Sequence, residues 1–214
     1  MKNYPRIYSL STLGLIHHYE NDYLFHNMRT DFVGDSGSGK SIIADLLQLI
    51  FVGSEMFESA TRTMDEKREL DGLVLRTPHK GIDIGYAFLN IEIQSRHYIV
   101  IGCYLESNSK RTKPFIIQGS SDPKANLLPI GQPLQTKDFK REGNICPLDD
   151  LLSQMEEKGL FLSYWETVKP YHRILYIHDI LPLDLASNEK TLKDYASVIR
   201  SFSRGKTIDT SNSN

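Results

Sequence analysis

Apolar positions fall along this chain in two rhythms. Residues 6–13 partly alternate, with Ile7, Leu10 and Leu13 among small polar residues, and a short aromatic stretch follows at 23–25. Together they read as two strands. His26-Asn27 suits a turn, and 29–33 leads into a glycine-rich segment, 34–39. The rhythm then changes. Ile42, Ile43, Leu46, Leu47, Leu49, Ile50 and Phe51 predict a helix over 41–51 whose apolar residues cover most of its circumference, as expected for burial on more than one side. Gly53 supplies its stop. Residues 54–71 are polar, with Met56 and Phe57 as the large apolar pair, and read as a loop holding a short helix near 63–70. Alternation returns at 83–93, around Ile84, Tyr86, Phe88 and Ile91, and again at 97–105. A third strand at 114–118 follows the basic turn 107–113, so the middle of the chain is predicted to be an antiparallel meander.

Residues 119–143, rich in Gly, Pro, Lys and Gln, read as the least structured internal part. Pro147 opens a helix with Leu148, Leu151, Leu152 and Met155 on one face and Asp149-Asp150 in its first turn, closed by Gly159. The apolar stretch 171–178 allows helix or strand. An amphipathic helix is predicted at 191–202, with Leu192, Tyr195, Ala196 and Ile199 on one side, and the polar end 210–214 is expected to fray.

Composition narrows the class. With 40% hydrophobic and 24% charged residues in 214, the chain can bury a core and is not wholly disordered. No apolar run approaches the roughly 20 residues that span a bilayer. The first ten residues lack the apolar core of a secretory signal, so a cytoplasmic protein without membrane contact is expected. Two cysteines, Cys103 and Cys146, are too few for a disulfide framework or a zinc cluster and read as buried thiols in a reducing compartment. A net charge of −2 excludes a globally basic nucleic-acid binder and leaves only a local patch for such contacts.

One motif carries chemistry. Gly34, Asp35, Ser36, Gly37, Ser38, Gly39, Lys40 and Ser41 match G-x-x-x-x-G-K-[ST] in full. The glycines let the backbone curl until successive N–H groups face phosphate oxygens. The helix that follows adds its unpaired N–H groups and positive dipole end. Lys40 would reach the β- and γ-phosphates, and the Ser41 hydroxyl would ligate Mg²⁺. With Gly at about 7% of residues, chance would supply this match in roughly 1% of chains of this length. The reading is ATP with Mg²⁺ on 34–41, with Ser41 as the metal ligand and no catalytic residue assigned.

Hydrolysis needs an acidic residue at the end of an apolar strand. Ile174, Leu175, Tyr176, Ile177, His178 and Asp179 offer the best local candidate, with Asp179 read either as the metal residue of a strand or, in better keeping with the intruding His178, as a surface residue at the end of a helix. Asp65, Glu66, Glu69 and Asp71 read as a solvated face, and His17, His18 and His26 lack the helical spacing of zinc hydrolases. Lys110-Arg111-Thr112-Lys113 forms one basic turn and Lys137, Lys140 and Arg141 another. Each suits either solubility or phosphate contact. Trp165, Tyr164 and Tyr171 read as packing.

The order of a strand pair, phosphate loop, apolar helix, charged loop and antiparallel strands resembles the N-terminal head lobe of SMC-type ABC ATPases. Leu10, Tyr23 to Phe25 and Phe32-Val33-Gly34 fall where that family has its first strands and P-loop, and Asp45, Leu46 and Ile50 fall on its first helix. The chain is most similar to the divergent MukB/JetC-like branch. That likeness rests on Asp71-Gly72-Leu73, Gly85-Tyr86-Ala87, Tyr98-Ile99-Val100-Ile101-Gly102, Lys113-Pro114-Phe115-Ile116-Ile117-Gln118-Gly119, and Ile199-Arg200-Ser201-Phe202-Ser203.

The resemblance implies an α/β fold: a P-loop NTPase of ABC type, an N-terminal lobe with a mixed sheet and an antiparallel meander around the P-loop helix. It implies a partial head over 1–205 with a polar tail at 206–214. It implies ATP binding, a C-terminal lobe or second head of an SMC-like dimer as partner, accessory subunits, weak DNA engagement in chromosome or plasmid maintenance, and a coiled coil in the full-length protein. No L-S-G-G signature occurs in 1–214, and no D-E pair there stands at the end of an apolar strand, Asp65-Glu66 lying in the polar stretch 54–71, so hydrolysis is expected to require the C-terminal lobe. Two readings stand beside this one. The first is a complete small P-loop NTPase or kinase using Asp179, against which the consecutive strands of 83–118 and the missing N-K-x-D weigh. The second is a scaffold with a vestigial loop, against which Lys40 and Ser41 weigh.

Overall fold

A computed structural model describes residues 4–26, 30–59, 70–76, 83–119 and 127–204, the side chains of residues 71 and 202–204 excepted. The elements in chain order are β1 (Arg6–Leu15), β2 (His18–Leu24), α1 (Lys40–Val52), β3 (Ile84–Gln94), β4 (His97–Glu106), β5 (Lys113–Gln118), β6 (Lys140–Arg141), β7 (Asn144–Ile145), α2 (Leu148–Glu157), β8 (Phe161–Tyr164), α3 (Val168–Ile177) and α4 (Glu189–Arg204). Short 3₁₀ turns occupy Ser54–Met56, Leu70–Leu73 and Thr136–Phe139.

Six strands form one sheet in the order β2-β1-β3-β4-β5-β8, and β6 pairs with β7 apart from it. The mixed sheet expected from the sequence is corrected here. Every pairing among the described strands is antiparallel. The reason lies in the connections. The β1–β2, β3–β4 and β4–β5 links are short hairpins, whereas a parallel pair needs a crossover of a dozen or more residues.

β3 and β4 are buried almost end to end on both faces, which is why their apolar content exceeds simple alternation. On one face Ala87, Leu89, Ile91, Ile99, Ile101, Cys103 and Ile116 meet α1, α3 and α4. On the other, Tyr86, Phe88, Val100, Phe115 and Ile117 meet α2 and Phe139. β1 changes sides partway along. Leu13 belongs to the second core and Leu15 to the first, although two residues in a regular strand share a face. Between them Gly14 has φ +72°, and a Cβ there would lie 2.3 Å from the Ile84 carbonyl oxygen, so the flip requires glycine.

The stretch 119–143 was expected to be poorly structured, and its described part, 127–143, is docked instead. Ile130 and Tyr98 exchange backbone hydrogen bonds of 2.8 and 2.9 Å. The buried Asn90 amide donates to the Leu134 carbonyl and Ser9 Oγ, and accepts from Leu134 N–H, each at 2.8 Å. Asp22 accepts from the Thr136 N–H and hydroxyl at 3.1 and 3.0 Å. Phe139 stacks on Phe88 with centroids 4.2 Å apart. Side chain–backbone bonds and one aromatic anchor, rather than a periodic pattern, hold this cover in place.

The short helix expected near 63–70 falls almost wholly outside the described residues, β2 is longer than the expected 23–25, and β6, β7 and β8 were not anticipated. Helix α1 begins one residue before the expected start, and Gly53 caps it at φ +86° with its N–H on the Leu49 carbonyl at 3.0 Å. The carbonyls that α1 leaves unpaired at its C-terminal end accept from α3: Tyr171 OH donates to Ile50 O and His172 Nε2 to Phe51 O, both at 3.0 Å. Cys103 and Cys146 are free and buried, and burial pushes the Cys103 thiol up to about 12, so it stays protonated. No helix among the described residues is long and apolar enough to cross a membrane.

Candidate nucleotide-binding site

The glycine-rich loop sits between the extended segment before residue 34 and the N-terminus of α1. Phe32 is half-buried against Tyr23 and Phe25, with ring centroids 5.6 and 5.9 Å away. Val33 is 92% exposed, and 30–35 forms no strand. The sequence reading of an apolar approach therefore holds for Phe32 alone. Among the described residues no strand lies alongside to receive Val33.

Within the loop Gly37 and Gly39 take φ +85° and +88°, values that a Cβ would strain. Ser38 N–H donates to Asp35 O at 3.2 Å, which closes the turn. The Lys40 ammonium folds back over the loop. It donates to the Gly34 carbonyl, to Asp35 O at 2.6 Å and to Ser38 Oγ at 3.3 Å. A cation held on carbonyls of its own loop marks where anionic oxygens would be stabilised. The first helical N–H groups lie beside it. A side chain at Gly34 would meet Ser38 Oγ at 2.7 Å, so the serine would have to turn aside to admit one. The residues present thus fit a polyphosphate, with Lys40 as point charge and Ser41, half-buried at the second position of α1, as the hydroxyl for a divalent cation.

Sequence reasoning missed His18. It opens β2 opposite Leu15 and is 7% exposed. Its Nε2 lies 3.0 Å from the Gly39 carbonyl oxygen and its Nδ1 2.7 Å from Tyr23 OH. A carbonyl can only accept, so Nε2 carries the proton and the Tyr23 hydroxyl donates to Nδ1. No spacing in the sequence announces this, because the fold alone brings Gly39 to the end of the β1–β2 hairpin.

Asp45 and Gln48, both buried on α1, turn toward the segment after the helix. Ser59 Oγ donates to Asp45 at 3.0 Å, and Gln48 exchanges two hydrogen bonds with the Glu58 backbone at 2.9 and 3.0 Å. Glu58 in turn pairs with Arg200 of α4 at 2.7 Å.

The other candidates are not gathered at the loop. The apolar run 174–177 closes the helix α3 rather than a strand, so Asp179 stands exposed in the turn after it, at φ +56°. This corrects the strand-borne metal aspartate. Its helical neighbours direct their apolar side chains by a period of 3.6, and no strand end exists there to carry a carboxylate. Asp65, Glu66 and Glu69 lie outside the described residues, as does the Asp71 side chain. Among the described residues no group of three or more His, Cys, Asp or Glu could hold a metal ion. Of the basic turns, two members of the second are paired, Lys140 with Glu20 at 2.8 Å and Arg141 with Glu157 at 2.9 Å, while Lys137 is exposed. In the first, Lys113 reaches Glu166 at 3.3 Å, and Lys110 and Arg111 are exposed.

No curated protein matches the chain. A family model described as MukB N-terminal matches residues 6–212, which takes in both cores, the glycine-rich loop and the four α-helices among the described residues. With so nearly complete a match, the chain belongs to the MukB N-terminal family, the N-terminal region of an SMC-type head.

Proposed function

We propose that residues 34–41 bind ATP with Mg²⁺ and that 1–205 form the N-terminal lobe of a P-loop NTPase head of ABC type, followed by the polar tail 206–214. The observation that carries this reading is the Lys40 ammonium held on the carbonyls of Gly34 and Asp35 at the N-terminus of α1. In this role the loop N–H groups and Lys40 hold the phosphates, and Ser41 holds the cation. Bound Mg²⁺ would supply charge neutralisation between the β- and γ-phosphates. The chain's own residues bind and orient, and the signature motif and acidic pair needed for turnover belong to a C-terminal lobe. ATP turnover by this chain alone is therefore expected to be negligible.

A cleft of about 440 Å³ next to Lys40 supports a partner on this side. Ile7, Phe32, Ile43, Ala44, Leu47, Phe51 and Ile199 line it. A C-terminal lobe or a second head would cover these apolar side chains. Weak DNA contact is assigned to the exposed turn at Lys110 and Arg111. Both side chains are exposed, and changing Lys110 and Arg111 together to Glu should flatten the log–log salt slope of duplex binding by nearly two units. An unchanged slope removes the DNA assignment and leaves the nucleotide site standing.

The test of the central reading is calorimetric. Lys40→Ala should weaken Mg·ATP binding by at least about tenfold, on the order of 1.5–3 kcal/mol for a charge-assisted contact. Equal affinities for the two proteins would sink it.

A further inference from the structure

We infer that His18 is a positioning residue of the phosphate loop, acting through the Gly39 carbonyl to aim the Lys40 N–H. This inference rests on the nucleotide reading above and adds to it a residue from outside the motif. The geometry is specific. Gly39 is the last loop residue, is buried, and precedes α1 with φ +88° and ψ 7°. Its carbonyl accepts the first helical bond, from Ile42 N–H at 2.9 Å, and a second from His18 Nε2 at 3.0 Å. The Gly39–Lys40 peptide is trans and planar, so its N–H points opposite to its C=O. Holding the oxygen toward His18 therefore turns the Lys40 N–H away from the hairpin, on the side where an anion would meet the loop.

His18 is itself held on both sides. Tyr23 OH donates to Nδ1, which leaves Nε2 as the donor, and the Tyr23 ring packs edge-on against His18 with centroids 5.8 Å apart. Tyr23 also packs on Phe32, just before the loop. A Cβ on Gly39 would come within 2.6 Å of His18 Nε2 and 2.9 Å of His17 Cβ. The hairpin end and the loop end are thus in direct contact, and the glycine required there serves that contact as well as the positive φ.

An ordinary buried histidine would explain the packing but not the pairing of both nitrogens with a loop carbonyl on one side and an orienting hydroxyl on the other. The positioning role makes a sharper demand. A side chain that restores the Nε2 donor should restore function even when the ring is gone.

The experiment compares the wild-type chain with His18→Leu, His18→Gln and Tyr23→Phe. Two readouts are used: the Lys40 amide in a nitrogen–proton correlation spectrum without nucleotide, and Mg·ATP affinity by calorimetry. His18→Leu should move the Lys40 amide resonance and weaken ATP by about tenfold, the fold-change of one lost hydrogen bond at the loop. His18→Gln, whose amide nitrogen can occupy the Nε2 position, should return both toward wild type, within about threefold in affinity. Tyr23→Phe keeps the ring and removes the orienting hydroxyl, and should show the same displacement with about a threefold loss.

A folded His18→Leu with wild-type amide and affinity overturns the inference. So does His18→Gln as weak as His18→Leu, which would mean ring packing alone. If His18→Leu does not fold, Tyr23→Phe decides, and an unmoved Lys40 amide with unchanged affinity overturns it. Should the wild type bind no ATP, the nucleotide reading falls and takes the positioning role with it. Binding by the wild type that His18→Leu leaves unchanged removes the positioning role alone.

Discussion

The two faces of the sheet are closed by different means. On the face of Tyr86, Phe88 and Phe115, aromatic rings pack on Phe139, and hydrogen bonds through Asn90, Asp22 and Tyr86 OH fasten the covering chain. On the face of α1, the helices seat Leu46, Leu49 and Ile50, while Leu47, Phe51, Ile43 and Ile199 line a cleft beside the phosphate loop. The first face is sealed by its own side chains, whereas the second keeps apolar surface next to its chemistry. Stability and binding should therefore respond to different substitutions.

The largest effect is expected on the sealed face. Phe139→Ala removes a fully buried ring and its stack on Phe88, and should cost about 3–5 kcal/mol in urea unfolding. Mg·ATP affinity of the folded fraction should stay within about twofold. A large loss of affinity would mean that the faces are coupled and the contrast is false.

The next effect belongs to the helical face and depends on pH. Burial holds the His172 imidazole down at about 4, against the partial opposition of the Phe51 carbonyl. The unfolded chain takes up this proton near 6.5, so between 6.5 and about 4 the unfolded state binds more protons than the folded one. Stability from this residue is complete above 6.5 and falls as pH drops, by on the order of 3 kcal/mol in all. Urea midpoints across that interval should decline more steeply for wild type than for His172→Gln. Parallel curves would show that His172 does not titrate differently on folding.

A smaller effect sharpens the contrast at the cleft. Leu47→Ser trims a half-buried side chain and should cost no more than about 1 kcal/mol, while reducing self-association seen by light scattering. A loss of several kcal/mol would show this surface to be core. The smallest change is expected at the ion pair of Arg141 with Glu157, both more than half exposed. Glu157→Gln should leave the urea midpoint almost unmoved, and high salt should erase what difference there is. A greater cost would mean that the pair helps to seal its face.

These contrasts also show what the sequence can and cannot carry. The α1, β3, β4, β5 and α4 elements were legible because each repeats an apolar period over many residues. The glycine-rich loop was legible because its motif fixes residue types at fixed spacing, and the positive-φ glycines and the folded-back Lys40 are found there. The cover over 127–143 was not, since Asn90, Asp22 and Phe139 each act once and across long separations. The antiparallel direction of β3, β4 and β5 was legible from their short links, whereas the mixed sheet came from the resemblance and not from any residue pattern. Whether 171–178 forms a helix or a strand was open from its apolar content, and the packing of Tyr171, His172 and Leu175 beneath α1 decides it. His18 escaped notice because its partners, Tyr23 and Gly39, stand five and 21 residues away.

Helix α1 is gripped at both ends by side chains from elsewhere: His18 at Gly39, and Tyr171 and His172 at Ile50 and Phe51. Thirteen residues make a rod of about 20 Å. A free helix frays at its ends, so its terminal amides exchange with solvent faster than its middle. Clamped in this way, α1 should show nearly uniform hydrogen-exchange protection, its first and last turns opening only with the whole domain. Mechanically it is a strut, so a displacement at the phosphate loop arrives at α3 as a movement of the whole rod rather than dying away along its length.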